Sequence, residues 1–119
     1  MSLGGILGVL SRYSLGGLVH RWLGLSFPYG TLAVNVSGCL TIGFLATLGQ
    51  SFLFISPNAR AFWFIGFLGA YTTFSTYMLE GHQLLEEGRP SAGLGYLFLS
   101  VALGYLGLRL GIWAARVFE

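Results

Sequence analysis

Three long stretches without a charged residue constrain what this chain can fold into. They cover residues 22–59, 61–79 and 90–108, and each reaches the roughly 18–20 residues that a helix needs to cross a bilayer. Only 8% of the 119 residues are charged, against about 25% in ordinary soluble domains. A typical soluble surface is therefore excluded, and the sequence predicts an all-α membrane protein that forms a single domain over residues 1–119.

Turn signals divide the chain into four predicted transmembrane helices. Proline, glycine and asparagine mark turns at residues 27–30 and 56–58. The predicted spans are residues 3–25, 30–52, 60–79 and 92–117, and a solvated polar connection including Glu80 and His82 follows the third span. In the first span, a charge such as Arg12 costs about 2.5–3.5 kcal/mol at the centre of a spanning helix. Arg12 should therefore face protein or water, and the alternative is an amphipathic helix lying in the membrane interface.

The stretch from Gly66 to Tyr77 predicts a break in the third span. It combines glycines, threonines and a serine with aromatic residues, and glycine, β-branched and hydroxyl residues are poor helix formers. At membrane depth, irregular backbone survives only where it is buried in protein or lines a cavity. The stretch therefore predicts a polar site within the membrane.

Other uncharged polar residues fall within the second and fourth spans. Thr31 and Asn35 share a face of the second helix, and Tyr96, Ser100 and Gly104 follow one another at i+4 steps in the fourth. A membrane asparagine needs a partner, so Asn35 either bonds a neighbouring helix or faces a ligand. The single cysteine, Cys39, is interpreted as a small core residue.

The charge distribution predicts self-association. The net charge of +2 is too small for nucleic-acid binding, and the arginines outside the apolar cores are divided almost equally between the two sides, so they define no strong orientation. Four thin, glycine-rich helices also cannot easily enclose a polar path by themselves. The sequence thus predicts a homo-oligomer, in particular an antiparallel dimer of oppositely inserted copies.

Three motifs in consistent order resemble one family. Residues Gly4–Tyr13 (GGILGVLSRY), Tyr29–Gly38 (YGTLAVNVSG) and Gly66–Tyr77 (GFLGAYTTFSTY) resemble the Fluc (CrcB-type) fluoride channels of bacteria, and the likeness covers nearly the whole chain. The resemblance implies a multi-pass protein of the bacterial plasma (inner) membrane that exports fluoride passively. It also implies a dual-topology antiparallel homodimer embedded in lipid, with two fluoride pathways at the subunit interface and a structural sodium ion.

The resemblance also implies roles for individual residues. Asn35 would be the polar pore residue, Phe74 and Tyr77 the aromatic box with Ser75 and Thr76 beside it, and Arg12 would lie in an aqueous vestibule. Gly69 and Thr72 would offer backbone carbonyls to sodium, although a helix kink without an ion is the alternative. The predicted fluoride pathway comprises Arg12, Thr31, Asn35, Phe74, Ser75, Thr76, Tyr77, Tyr96 and Ser100. The sequence departs from the family at Tyr77, where phenylalanine is usual, and at Gly104, where a hydroxyl is expected.

The chemistry of these residues favours an anion independently of the resemblance. They offer amide and hydroxyl donors and the positive edge of an aromatic ring, with no carboxylate among them. A small multidrug antiporter is the main alternative, but it needs an ionisable carboxylate within the membrane, and the four glutamates are predicted at span ends or in connections. A scaffold subunit would not explain Asn35 at membrane depth. An enzyme is not expected, because no nucleophile and base are grouped.

Overall fold

The computed structural model describes residues 1–51 and 56–118, and within them the chain folds into helices. Helix α1 is Ser2–Leu23 and α2 is Tyr29–Ser51. Helix α3 consists of Pro57–Arg60, the wider π-helical turns Ala61–Leu68, and Gly69–Tyr71, each running into the next. Helix α4 is Phe74–Glu86 and α5 is Pro90–Val117. The predicted end of the second span at residue 52, and Glu119, lie outside the described residues.

This arrangement confirms the predicted all-α membrane fold with a broken third helix. Within residues 1–51 and 56–118, three helices are long and apolar enough to cross a membrane, namely Ser2–Leu23, Tyr29–Gly49 and Pro90–Val117. The third predicted span corresponds to α3 together with the first part of α4. Because α4 continues to Glu86, the predicted polar connection is wrong over residues 80–86, and the chain leaves the helical conformation only at residues 87–89.

Glycines allow α1 to pack closely against α3, and α5 against α2. A Cβ on Gly4 of α1 would lie 2.5 Å from the carbonyl oxygen of Phe62 in the π-helical turns. On α5, a Cβ on Gly111 would collide with the Leu40 carbonyl oxygen of α2, and one on Gly107 would lie 3.0 Å from that of Val36. These two glycines of α5 therefore pack directly against the backbone of α2.

Candidate functional site

The break between α3 and α4 is held by the side chain of Asn35. Thr72 and Thr73 are extended, with ψ angles of 159° and 121°. The Asn35 amide donates through Nδ2 to the Thr73 carbonyl oxygen at 2.9 Å, and its Oδ1 accepts from the Thr73 backbone N–H at 2.8 Å. The Asn35 side chain therefore bonds both backbone groups of Thr73, as the backbone of a neighbouring β-strand would. This is the helix-to-helix bond that the sequence left as one of two possibilities.

The break leaves two backbone carbonyls without their usual helical donors. In a continuous helix the Gly69 carbonyl would accept from the N–H of Thr73, but that N–H is donated to Asn35. The Thr72 carbonyl would likewise accept from Thr76, whose N–H is donated to the Thr73 hydroxyl at 3.3 Å. These are the two carbonyls that the resemblance implies for sodium. The backbone at the break thus fits a cation that coordinates carbonyl oxygens.

A groove of about 400 Å³ opens beside the break. Four of the predicted pathway residues line it, namely Asn35, Phe74, Tyr77 and Ser100, together with Cys39 of α2. The lining contains no charged side chain within the described part of the chain. Phe74, one of these lining residues, is 73% exposed. Polar donors and aromatic rings therefore meet on an otherwise apolar surface.

The hydroxyl of Ser100 stands out in this groove. Its Oγ is buried and has no hydrogen-bond partner among the described residues. In a helix, a serine hydroxyl commonly bonds a carbonyl of the preceding turn, as the Thr41 hydroxyl does with the Ser37 carbonyl at 2.8 Å. The Ser100 hydroxyl instead has an unused donor, on a residue that lines the groove.

A second, more polar cavity of about 890 Å³ lies on the other side of the break. It is lined by the predicted pathway residues Arg12, Thr31 and Thr76, and Arg21 and His20 add further basic groups. No carboxylate contributes to this lining as far as the structure describes it. Thr73 lines both the cavity and the groove. A cavity lined by arginine side chains and an uncharged, donor-bearing groove therefore adjoin at the break.

Glu80 lies within α4, where the sequence had predicted a solvated connection. It is half-buried, and its carboxylate accepts from the Thr31 hydroxyl at 2.8 Å and from the Tyr96 hydroxyl at 3.0 Å. The prediction of a solvated Glu80 is therefore wrong, because α4 continues past residue 79. His82 is exposed, as expected.

Two predicted pathway residues line neither the groove nor the cavity. Tyr96 is completely buried, with its hydroxyl committed to Glu80. Ser75 is exposed on the first turn of α4, facing neither of these two spaces. The sequence analysis did not single out Thr73 as the partner of Asn35, and only the run of hydroxyl residues at the break hinted at it.

Comparison with known proteins places the chain in a family. Residues 1–112 match the family described as CrcB-like protein, Camphor Resistance (CrcB). A protein from Synechococcus named "Fluoride-specific ion channel FluC" is 44% identical over 119 residues, covering 100% of this chain and 92% of the relative. Proteins of the same name from Desulforapulum autotrophicum and Rhizobium meliloti are 42% and 43% identical over 98% and 95% of this chain, and over 94% and 90% of their own lengths.

These matches extend over nearly the full length of both partners, so they cover the break, the groove and the cavity together. They confirm the predicted family, and with it the predictions that the chain is a multi-pass membrane protein and that it is a channel rather than an enzyme. The chain belongs to the CrcB/FluC family of fluoride channels.

Proposed function

We propose that this chain conducts fluoride passively and selectively across the membrane, using the groove beside the break as its pathway. The observation that carries the proposal is the buried, unpartnered Ser100 hydroxyl in that groove. A buried donor left unpaired costs about 1–3 kcal/mol. Such a cost is consistent with a hydroxyl that donates to an ion in the groove rather than stabilising the fold.

The groove suits a small, strongly hydrated anion. A selectivity filter must replace the hydration shell of its ion with protein groups and still release it. Asn35 has a second amide N–H beyond the one bonded to Thr73, Ser100 offers its hydroxyl, and Phe74 can present its positive ring edge. Several modest donors without an arginine bind fluoride weakly enough for it to move on.

The basic cavity forms the proposed entrance. Arg12 and Arg21 line it, and a concave surface of one charge raises the local concentration of the opposite ion. Thr73 belongs to both linings, so an anion leaving the cavity meets the break and Asn35 next. Thr76 supplies a hydroxyl on the cavity side of this passage, whereas the Thr31 hydroxyl donates to Glu80.

A second, inverted copy of the chain would supply the missing wall of the groove. Phe74 and Val101, which line the groove, are 73% and 66% exposed, so one subunit leaves the groove open. An ion half-exposed to lipid would keep no adequate coordination. An antiparallel homodimer with two symmetric pathways closes the groove and agrees with the weak charge bias of the sequence.

The carbonyls of Gly69 and Thr72 would hold the proposed sodium ion. Both have lost their usual helical donors at the break. A bound cation would supply positive potential near the anion pathway. Fluoride release from vesicles prepared in sodium should exceed release from vesicles prepared in N-methylglucamine, and equal rates would contradict the sodium site.

One observation favours a second candidate, a proton-coupled carrier. Glu80 is a half-buried carboxylate, and such carriers require an ionisable group within the membrane. Its carboxylate accepts hydrogen bonds from Thr31 and Tyr96, which favours a structural role. A fluoride flux that follows an imposed proton gradient, with no effect of membrane potential, would support the carrier.

The deciding experiment measures ion release from liposomes. The purified protein is reconstituted with internal potassium fluoride or potassium chloride, and release is followed with ion-selective electrodes after valinomycin is added. We expect rapid fluoride release and at least a hundredfold slower chloride release, roughly the discrimination that about 3 kcal/mol provides. Substituting Phe74 by alanine should slow fluoride release. Comparable fluoride and chloride rates would overturn the proposal.

A further inference from the structure

The phenolic hydroxyl of Tyr77 is bonded to the neighbouring helix α5. Tyr77 is only 7% exposed, and its hydroxyl donates to the Leu97 carbonyl oxygen of α5. A carbonyl oxygen has two lone pairs, so Leu97 can accept this bond and still serve its own helix. The sequence had suggested that this hydroxyl adds a donor to the ion path, and the structure gives it a different partner.

The ring of Tyr77 is fixed as well as its hydroxyl. Its centroid lies 5.6 Å from the Phe74 ring and 5.3 Å from the Tyr96 ring, at interplanar angles of 53° and 59°. Tilted aromatic pairs at such distances are favourable. The ring is thus held between two neighbours while its edge still contributes to the groove lining.

The hydroxyl bond joins the two helices that carry the groove's donors. Helix α4 begins at Phe74, directly after the break, and Leu97 lies three residues before Ser100 on α5. Residues three apart lie on the same side of a helix. A bond from Tyr77 to Leu97 therefore sets the separation between the Phe74 ring and the Ser100 hydroxyl.

We infer that Tyr77 is a positioning residue: its hydroxyl fastens α4 to α5 and so sets the width of the groove, without contacting the ion. A phenylalanine would fill the same space but leave α4 free to move relative to α5. The inference rests on the proposed conduction of fluoride through this groove. It assigns the tyrosine hydroxyl a function that the usual phenylalanine cannot have.

The first test is the rate of fluoride release from liposomes containing Tyr77→Phe. Loss of one such bond corresponds to a rate reduced by about three- to tenfold. Replacing Tyr77 with p-aminophenylalanine, which keeps a donor at the same end of the ring, should restore most of the rate. The matched control is Tyr105→Phe, which removes a hydroxyl from a side chain that is 62% exposed on α5 and should leave the rate unchanged.

The second test separates positioning from direct ion binding. With tyrosine labelled at the ring carbon that bears the hydroxyl, the Tyr77 resonance is identified by its loss in Tyr77→Phe. We expect this resonance to stay in place when fluoride is added, because the hydroxyl keeps its bond to Leu97. A fluoride-dependent shift would overturn the inference, as would an unchanged release rate in Tyr77→Phe. A wild-type protein that releases no fluoride would instead refute the proposed function.

Discussion

Replacing Asn35 with alanine tests whether the break depends on a single side chain. The substitution removes two hydrogen bonds at once, the one from Nδ2 to the Thr73 carbonyl and the one from the Thr73 N–H to Oδ1. Alanine is a good helix former, so α2 itself should persist. The loss therefore falls on Thr73 and on the geometry of the break.

The expected loss of stability follows from these two bonds. Each exchanged hydrogen bond contributes about 1 kcal/mol, and a buried group left without a partner costs about 1–3 kcal/mol. Both Thr73 groups are only partly buried, so some water can replace the amide. We expect the free energy of unfolding to fall by about 2–4 kcal/mol.

The assay combines unfolding in detergent with fluoride release from liposomes. The matched control is Thr41→Val on the same helix, which removes one bond from the Thr41 hydroxyl to the Ser37 carbonyl within α2. This control should cost about 1 kcal/mol or less and leave fluoride release unchanged. Asn35→Ala should slow release at least tenfold.

A charged variant separates the two roles of Asn35. Asn35→Asp keeps an acceptor for the Thr73 N–H but loses the donor to the Thr73 carbonyl. It also places a negative charge beside the anion pathway, where repulsion between charges 4 Å apart is about 4 kcal/mol at an effective dielectric constant near 20. Asn35→Asp should therefore conduct no better than Asn35→Ala, although it keeps an acceptor for the Thr73 N–H. An Asn35→Ala protein with wild-type stability and wild-type release would refute this account of the break.

Three further predictions follow from the groove and from the helix contacts. Ser100→Ala should raise the free energy of unfolding, by at most about 1–3 kcal/mol, because it removes a buried donor that has no partner among the described residues, but it should slow fluoride release. A loss of stability in Ser100→Ala would contradict its assignment to the proposed pathway. Cys39 is the single cysteine and lines the groove, so its modification by a small methanethiosulfonate reagent should slow fluoride release. Fluoride release by Cys39→Ala should be unaffected by the reagent. Gly111→Ala should destabilise the protein by about 1–3 kcal/mol through a clash with α2. Gly95→Ala is the control and should not destabilise it, because a Cβ there would meet nothing within 4 Å. Equal stabilities of the two variants would show that α5 can shift away from α2.

The break could be predicted from the sequence because its signal is local. Threonine at residues 72 and 73 disfavours a helix through its own backbone and side chain, and no distant contact is needed to recognise this. The helix bounds of α1, α2 and α5 likewise follow from length and turn residues. The π-helical turns at residues 61–68 have no such local signal, because they fit the backbone of α3 against α1 at Gly4 and Gly66.

Glu80 could not be placed correctly from the sequence, because its position depends on contacts with residues far away in the chain. Charge alone suggested a solvated end of the third span, while the helix continues to Glu86 without a proline or a left-handed glycine before Gly88. The hydroxyls of Thr31 and Tyr96, 49 and 16 residues away, make a half-buried carboxylate tolerable there. Helical spacing also placed Tyr96 with Ser100, but only the fold shows that its hydroxyl reaches Glu80.

Asn35 explains why one residue type can satisfy both roles that the sequence left open. A carboxamide has an acceptor oxygen and two N–H donors, and Thr73 uses the oxygen and one N–H. The second N–H remains on a side chain that lines the groove. Aspartate would lack the donors and serine could not bond both backbone groups of Thr73 while offering a third bond. The residue that holds the break open therefore also has a donor for the ion that we propose to pass beside the break.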